Sequence, residues 1–244
     1  MTTEGRSVVV GEVSLWVEVH GELAGDAVLL LSGSDATTRR WPSTLIDALV
    51  SAGLGVVAFD TRDCGLSSRI DPDVPYRLED LALDACGVLD AVGVAAAHVV
   101  GYSMGGAVAQ LLALEHGERV RSLVLVSSTP GLGDERLPEA HDDYVAFVVD
   151  RLFGDPPRSD DEKVEWIVEG YRRLAGTRFA FDDDAQRALA RDEIERGWSA
   201  ESGHGVAATA SRSRLDRLRD IAVPTVVVHG DADPVFPLPH GEAL

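Results

Sequence analysis

The sequence predicts an α/β fold built on a mostly parallel sheet with helices on both faces, and three features carry that expectation. Short, continuously apolar runs rich in β-branched residues recur along the chain, as strands covered on both faces require. Segments of helical period lie between them, two of them closed by a glycine. A Gly-x-Ser-x-Gly turn stands where one such run gives way to one such segment.

Taken in order, residues 8–10 and 13–19 flank Gly11-Glu12, and the second segment alternates Val13, Leu15, Val17 and Val19 with more polar neighbours. That pattern predicts an N-terminal β-hairpin. Residues 27–31, 56–59, 98–100, 123–126 and 225–228 read as buried strands, and residues 41–52, 78–92 and 104–115 as helices. Gly53 and Gly93 end the first two helices. The alternation implies right-handed β-α-β crossovers.

From Pro130 to about Arg219 the strand-like runs stop and charged helical stretches, 161–174 and 183–196, take over. We therefore expect residues 1–129 to form a core, 130–219 a helical cap insertion, and 220–244 a returning core strand with its loop. The aromatics Tyr144, Phe147, Phe153, Trp166, Tyr171, Phe179, Phe181 and Trp198 within the insertion fit either a pocket lining or ordinary helix core.

Composition narrows the function. The 244 residues are 45% hydrophobic and 26% charged, which suits a single sizeable globular core. With 22 Lys and Arg against 41 Asp and Glu, the net charge of −19 repels phosphate backbones and anionic lipid, so nucleic acid is not an expected partner. No basic segment followed by an apolar stretch opens the chain, and no run approaches membrane-spanning length, which predicts a cytoplasmic protein with no membrane partner. Cys64 and Cys86 lack any metal-ligand spacing, so neither zinc nor a disulfide framework is expected. Oligomeric state is not legible in the sequence.

The chemistry concentrates at Gly101-Tyr102-Ser103-Met104-Gly105-Gly106, between the strand ending at Val100 and the helix opening at Met104. A serine on so sharp a turn occupies a strained backbone conformation, and side chains two residues to either side would collide with the strand and helix, hence glycine at 101 and 105. The turn sets the Ser103 hydroxyl at the positive end of the helix, where the Met104 N–H can meet a developing oxyanion.

With this motif in its setting, the chain resembles the α/β-hydrolase superfamily from the first hairpin onward. The blocks Arg40-Trp41-Pro42, Asp60-Thr61-Arg62-Asp63-Cys64-Gly65-Leu66-Ser67, His98-Val99-Val100-Gly101 and Pro224 to Gly230 are similar to its aclacinomycin methylesterase-like branch. The resemblance implies Ser103 as nucleophile, an ester of a small molecule as substrate and no cofactor. It implies that the second oxyanion amide belongs to Ser34, in Ser32-Gly33-Ser34, and that the catalytic acid is Asp233, three residues beyond Gly230; Asp231 competes for that role. Asp35, beside Ser34, either holds its loop or faces solvent.

The base is the gap in this pattern. The fold keeps the order serine, acid, histidine, with the histidine after one further strand. That strand, its helix and the histidine are expected beyond Leu244, which leaves the chain inert and its last strand an exposed edge. His240 follows Asp233 too closely, His229 reads as a scaffold histidine at a strand end, and His204, between Gly203 and Gly205, is the other substitute. A thiol nucleophile at Cys64 lacks a paired base. A lactonase, amidase or perhydrolase would share the motif, and a binding module that has lost its chemistry would share the pocket.

Overall fold

The computed structural model describes residues 4–244. Seven strands, β1 (Glu4–Val10), β2 (Val13–His20), β3 (Ala27–Leu31), β4 (Gly55–Phe59), β5 (Ala97–Tyr102), β6 (Val120–Val126) and β7 (Thr225–Val228), form one sheet in the order β1-β2-β4-β3-β5-β6-β7. The hairpin β1-β2 and the β2-β4 pair are antiparallel, and every other pair is parallel. The parallel ladder has one consequence for chemistry: the loops leaving β3, β5, β6 and β7 all emerge at the same edge of the sheet.

Alternation along the inner strands divides the core in two. Leu29, Leu31, Val57 and Phe59 face a cluster completed by α2 (Leu78–Ala91) and α3 (Met104–Glu115). Val28, Leu30, Val56 and Ala58 face Trp41 and α1 (Ser43–Ser51). Successive side chains on a strand point to opposite faces, so a continuous apolar run serves both layers.

Four helices lie between β6 and β7: α4 (Asp142–Phe153), α5 (Asp160–Leu174), α6 (Asp183–Glu195) and α7 (His204–Ala210). The start of α5 is fixed by a reciprocal cap, with Ser159 Oγ accepting from Glu162 N and Glu162 Oε2 from Ser159 N. Asp182 Oδ1 caps α6 by accepting from Ala185 N. Val164, Ile167, Val168 and Ala190 pack α5 on α6 in a small cluster of their own. A short helix, α8 (Pro239–Ala243), follows β7.

One strand departs from the reading of a buried strand and meets that of an exposed edge. Residues 225–228 do form β7, but Val226 and Val228 are 57% and 51% exposed, not covered on both faces. The reason is position: β7 pairs with β6 on one side and is the sheet's edge on the other.

Candidate active site

Ser103 links β5 to α3 with φ +52° and ψ −123°, a backbone region that costs a side-chain-bearing residue strain. Two approaches enforce it. A Cβ on Gly101 would stand 2.3 Å from the Gly105 carbonyl oxygen, and one on Gly105 only 2.1 Å from that of Leu31. The peptide is held by Ser103 N donating to Val126 O (2.9 Å) and by Ser128 Oγ and Gly106 N donating to Ser103 O (2.8 and 3.0 Å). The side chain stays half-exposed, and no described residue hydrogen-bonds its hydroxyl.

The loop after β3 passes directly behind this turn, since Gly105 packs on Leu31 and Ser32, and Gly33 leaves room for the Tyr102 ring. Ser32 Oγ accepts from Trp41 Nε1 at 3.0 Å, anchoring the loop's root. Asp35 then turns left-handed, φ +58°. Its amide donates to His204 Nδ1 (3.0 Å), and its carboxylate meets Ser202 Oγ, the same Nδ1 (3.1 Å) and Ser34 Oγ (3.2 Å). Burial pushes the Asp35 carboxyl up, but the bonds from His204, Ser202 and Ser34 outweigh it and hold the group below the ordinary carboxylate range. Asp35 thus ties the loop that carries Ser34 to the helical segment.

Asp233 lies in the loop after β7. Its Oδ1 accepts from Val235 N and Phe236 N, both at 2.9 Å, which fixes the carboxylate and leaves Oδ2 free of backbone bonds. Asp231 is exposed. Burial raises the Tyr144 phenol, and although Arg151 opposes this, Asp233 and Asp35 add to it.

The three candidate histidines are committed elsewhere. His204 is fully buried, its Nε2 beside Arg62 O (3.0 Å) and Thr61 Oγ1 (3.3 Å). His229 Nε2 donates to Phe236 O (2.6 Å) and stands 3.8 Å from Asp233 Oδ2. His240 is buried between Thr129 Oγ1 and Pro138 O, each 2.9 Å away. Among the described residues no imidazole is hydrogen-bonded to Ser103. Cys64 is buried, and burial, with Asp35 and Asp60 next, pushes its thiol well above the ordinary value, the opposite of what a thiolate nucleophile needs. No group of His, Cys, Asp or Glu among the described residues has the clustering a metal ion would need.

Two features go beyond the sequence reading, the first by deciding between pocket lining and helix core for most of the aromatics of the insertion. The first is a cavity of about 330 Å³ between the Ser34-Asp35 loop and helices α4, α5 and α6, walled by Tyr144, Phe147, Trp166, Tyr171 and Trp198. Five of the eight aromatics singled out in the insertion thus line a pocket, whereas Phe153 and Phe179 are 88% and 81% exposed. The second is a set of buried ion pairs clasping α6 to the core. Arg40 meets Glu193 at 2.5 Å, and Arg196 Nη2 meets Glu18 at 3.0 Å and Asp60 at 3.1 Å. Charged residues read as surface in a sequence, so nothing there foretold the clasp.

A family model described as the alpha/beta hydrolase fold matches residues 26–244. The chain belongs to that family. This hydrolase is 32% identical over 261 aligned positions to rhodomycin D methylesterase DauP of Streptomyces sp. (strain C5), covering 98% of this chain and 86% of the relative. It is 31% identical, with the same coverage, to rhodomycin D methylesterase DnrP of Streptomyces peucetius. The crystal structure of the enol-lactonase from Burkholderia xenovorans LB400 superposes with a TM-score of 0.77 at 22% identity, over 98% of this chain and 86% of that one, a likeness of fold. Family and relatives together mark the chain as an ester hydrolase of the α/β type. No helix of the described residues is long and apolar enough to cross a membrane.

Proposed function

We propose that the hydrolase cleaves a carboxylic ester, a methyl ester foremost, through an acyl-enzyme on Ser103. The observation that carries this reading is the strained serine at the β5-α3 turn, its hydroxyl unbonded, in a chain similar to methylesterases along almost its whole length. Ser103 Oγ attacks the ester carbonyl carbon and passes its proton to an imidazole base. The oxygen that becomes negative accepts from the Met104 N–H, an orphan donor at the helix start, and from the Ser34 N–H. The tetrahedral species collapses, the alkoxide leaves with the proton from the imidazolium, and water repeats the sequence to release the acid. Asp233, through Oδ2, orients the base and stabilises its protonated form. The helical segment 130–219 serves as the cap that receives the rest of the substrate.

The base has no candidate at Ser103 among the described residues, so the 244-residue chain is expected to turn over slowly by itself, a triad without its base losing about 10⁶ in kcat. Exogenous imidazole supplies the missing group. Above the protein-free background rate that imidazole itself produces, hydrolysis of p-nitrophenyl acetate should rise saturably with added imidazole in this protein and not in Ser103→Ala. Equal imidazole-dependent rates in the two proteins would overturn the assignment of Ser103.

A further inference from the structure

The cavity behind the Ser34-Asp35 loop contains one cation without a counter-ion. Arg151, half-buried on α4, lies over the rings of Phe147 and Trp166, 4.1 and 4.2 Å from their centroids, and donates to the Trp166 carbonyl. No carboxylate lies within ion-pairing distance of it among the described residues. Arg151 is the one cation that lines this cavity among the described residues, and neighbouring guanidiniums are paired: Arg40 with Glu193, Arg172 and Arg173 with Glu169, Arg187 with Glu165, Arg196 with Asp60 and Glu18.

Its surroundings keep it open. A Cβ on Gly170, which also lines the cavity, would stand 3.2 Å from Arg151 Nη1, so the missing side chain leaves that edge of the fork accessible. Stacking on two rings fixes the plane of the guanidinium while its edge N–H groups remain to be satisfied. Burial lowers the Arg151 pKa to about 10, with Glu169 and Tyr144 pulling the other way, and the group is still charged at neutral pH. The flat rings that wall the cavity suit an aromatic ligand.

From this we infer that the cavity takes an aromatic group bearing an anionic oxygen, with Arg151 binding that oxygen and the surrounding rings stacking on the aromatic plane. The inference rests on the reading of Ser103 and Ser34 as the reacting end of the same site, and it adds the kind of substrate: an ester whose aromatic part carries a carboxylate or an ionised phenol. A net charge of −19 repels such a ligand at long range, so its capture depends on this local cation.

The test is binding, measured by titration calorimetry on Ser103→Ala so that the outcome is independent of turnover. The probes are 2-naphthoate and its neutral isostere 2-naphthamide. Naphthoate should bind about tenfold more tightly, as a charge-assisted contact to a guanidinium predicts. Arg151→Met should abolish that preference while leaving naphthamide affinity within about twofold, because the apolar walls remain. Since Arg151 also stacks between α4 and α5, a second variant guards against loss of folding. Gly170→Asp sets a carboxylate beside Nη1 without removing the stack, and it too should erase the preference. Equal affinity for the two probes in the parent protein, or a preference that survives Gly170→Asp, would overturn the inference. Failure of the imidazole experiment with intact naphthoate selectivity would instead sink the assignment of Ser103 alone.

Discussion

Replacing Arg196 by Met tests whether buried charge holds the helical segment on the core. Arg196 caps the C-terminus of α6, and its Nη2 reaches Asp60 Oδ2 (3.1 Å), Glu18 Oε1 (3.0 Å) and Thr38 Oγ1 (3.2 Å). The side chains of Arg196, Glu18 and Asp60 are 9%, 7% and 0% exposed, so water cannot replace the guanidinium when it is removed. Breaking one partner from a buried pair costs about 3–5 kcal/mol, since the remaining charge stays buried and uncompensated. The lower end applies here. Asp60 still accepts from Thr38 N (2.8 Å) and Leu66 N (3.1 Å), and Glu18 still accepts from Trp16 Nε1 (3.0 Å). We therefore expect Arg196→Met to lose about 3 kcal/mol, or ~6–12 °C in Tm for a domain of this size.

Urea unfolding at neutral pH, followed in parallel by tryptophan fluorescence and far-ultraviolet circular dichroism, measures the loss and shows whether the transition stays two-state. The double variant Arg196→Met with Glu18→Gln removes one of the stranded charges and should recover about 1 kcal/mol or more. A loss below about 1 kcal/mol for Arg196→Met, the figure for a solvent-exposed pair, would refute the premise that the clasp is dry. So would a double variant no more stable than the single one.

Asp35→Asn should show a pH-dependent deficit. The folded protein holds the Asp35 carboxyl below its ordinary value, so the stabilisation is present above the ordinary carboxylate pKa and is lost as the pH falls through the depressed folded-state value. Urea midpoints of parent and variant should therefore differ at neutral pH and converge in acid; a gap that widens in acid has the wrong sign. At the sheet edge, Val226→Lys with Val228→Lys should suppress concentration-dependent association in size-exclusion chromatography, because both valines lie exposed on a strand with one unpaired side. A parent protein that elutes as a monomer at every concentration would contradict this.

The parts of the fold that were legible in the sequence are those whose cause is local. The helix over 104–115 and the strand over 27–31 coincide with α3 and β3, because an unbroken apolar run or a glycine-flanked turn carries its own boundary. The Ser103 turn was legible for the same reason, its two glycines being demanded by atoms a few residues away or on the adjacent strand. Helix α4 was not. None of its residues is buried, its apolar side faces a cavity rather than a core, and it lacks the dense charge by which 161–174 and 183–196 were read as helices.

What the sequence hides is the partner of each charge. Arg196 and Asp60 are 136 residues apart, and either one alone reads as solvated surface. The same limit governs Arg151, whose significance lies in the carboxylate that is not beside it, a property of packing alone. β7 shows the converse case: Thr-Val-Val-Val has the composition of a strand covered on both faces, yet its place at the sheet edge leaves it exposed. A pattern within a segment specifies its secondary structure, whereas the electrostatics of a site depend on segments brought together from distant parts of the chain. The site's geometry therefore divides unevenly between the two sources: the turn that presents Ser103 is written locally, and the aromatic wall with its lone guanidinium arises only when α4 folds over the loop that carries Ser34.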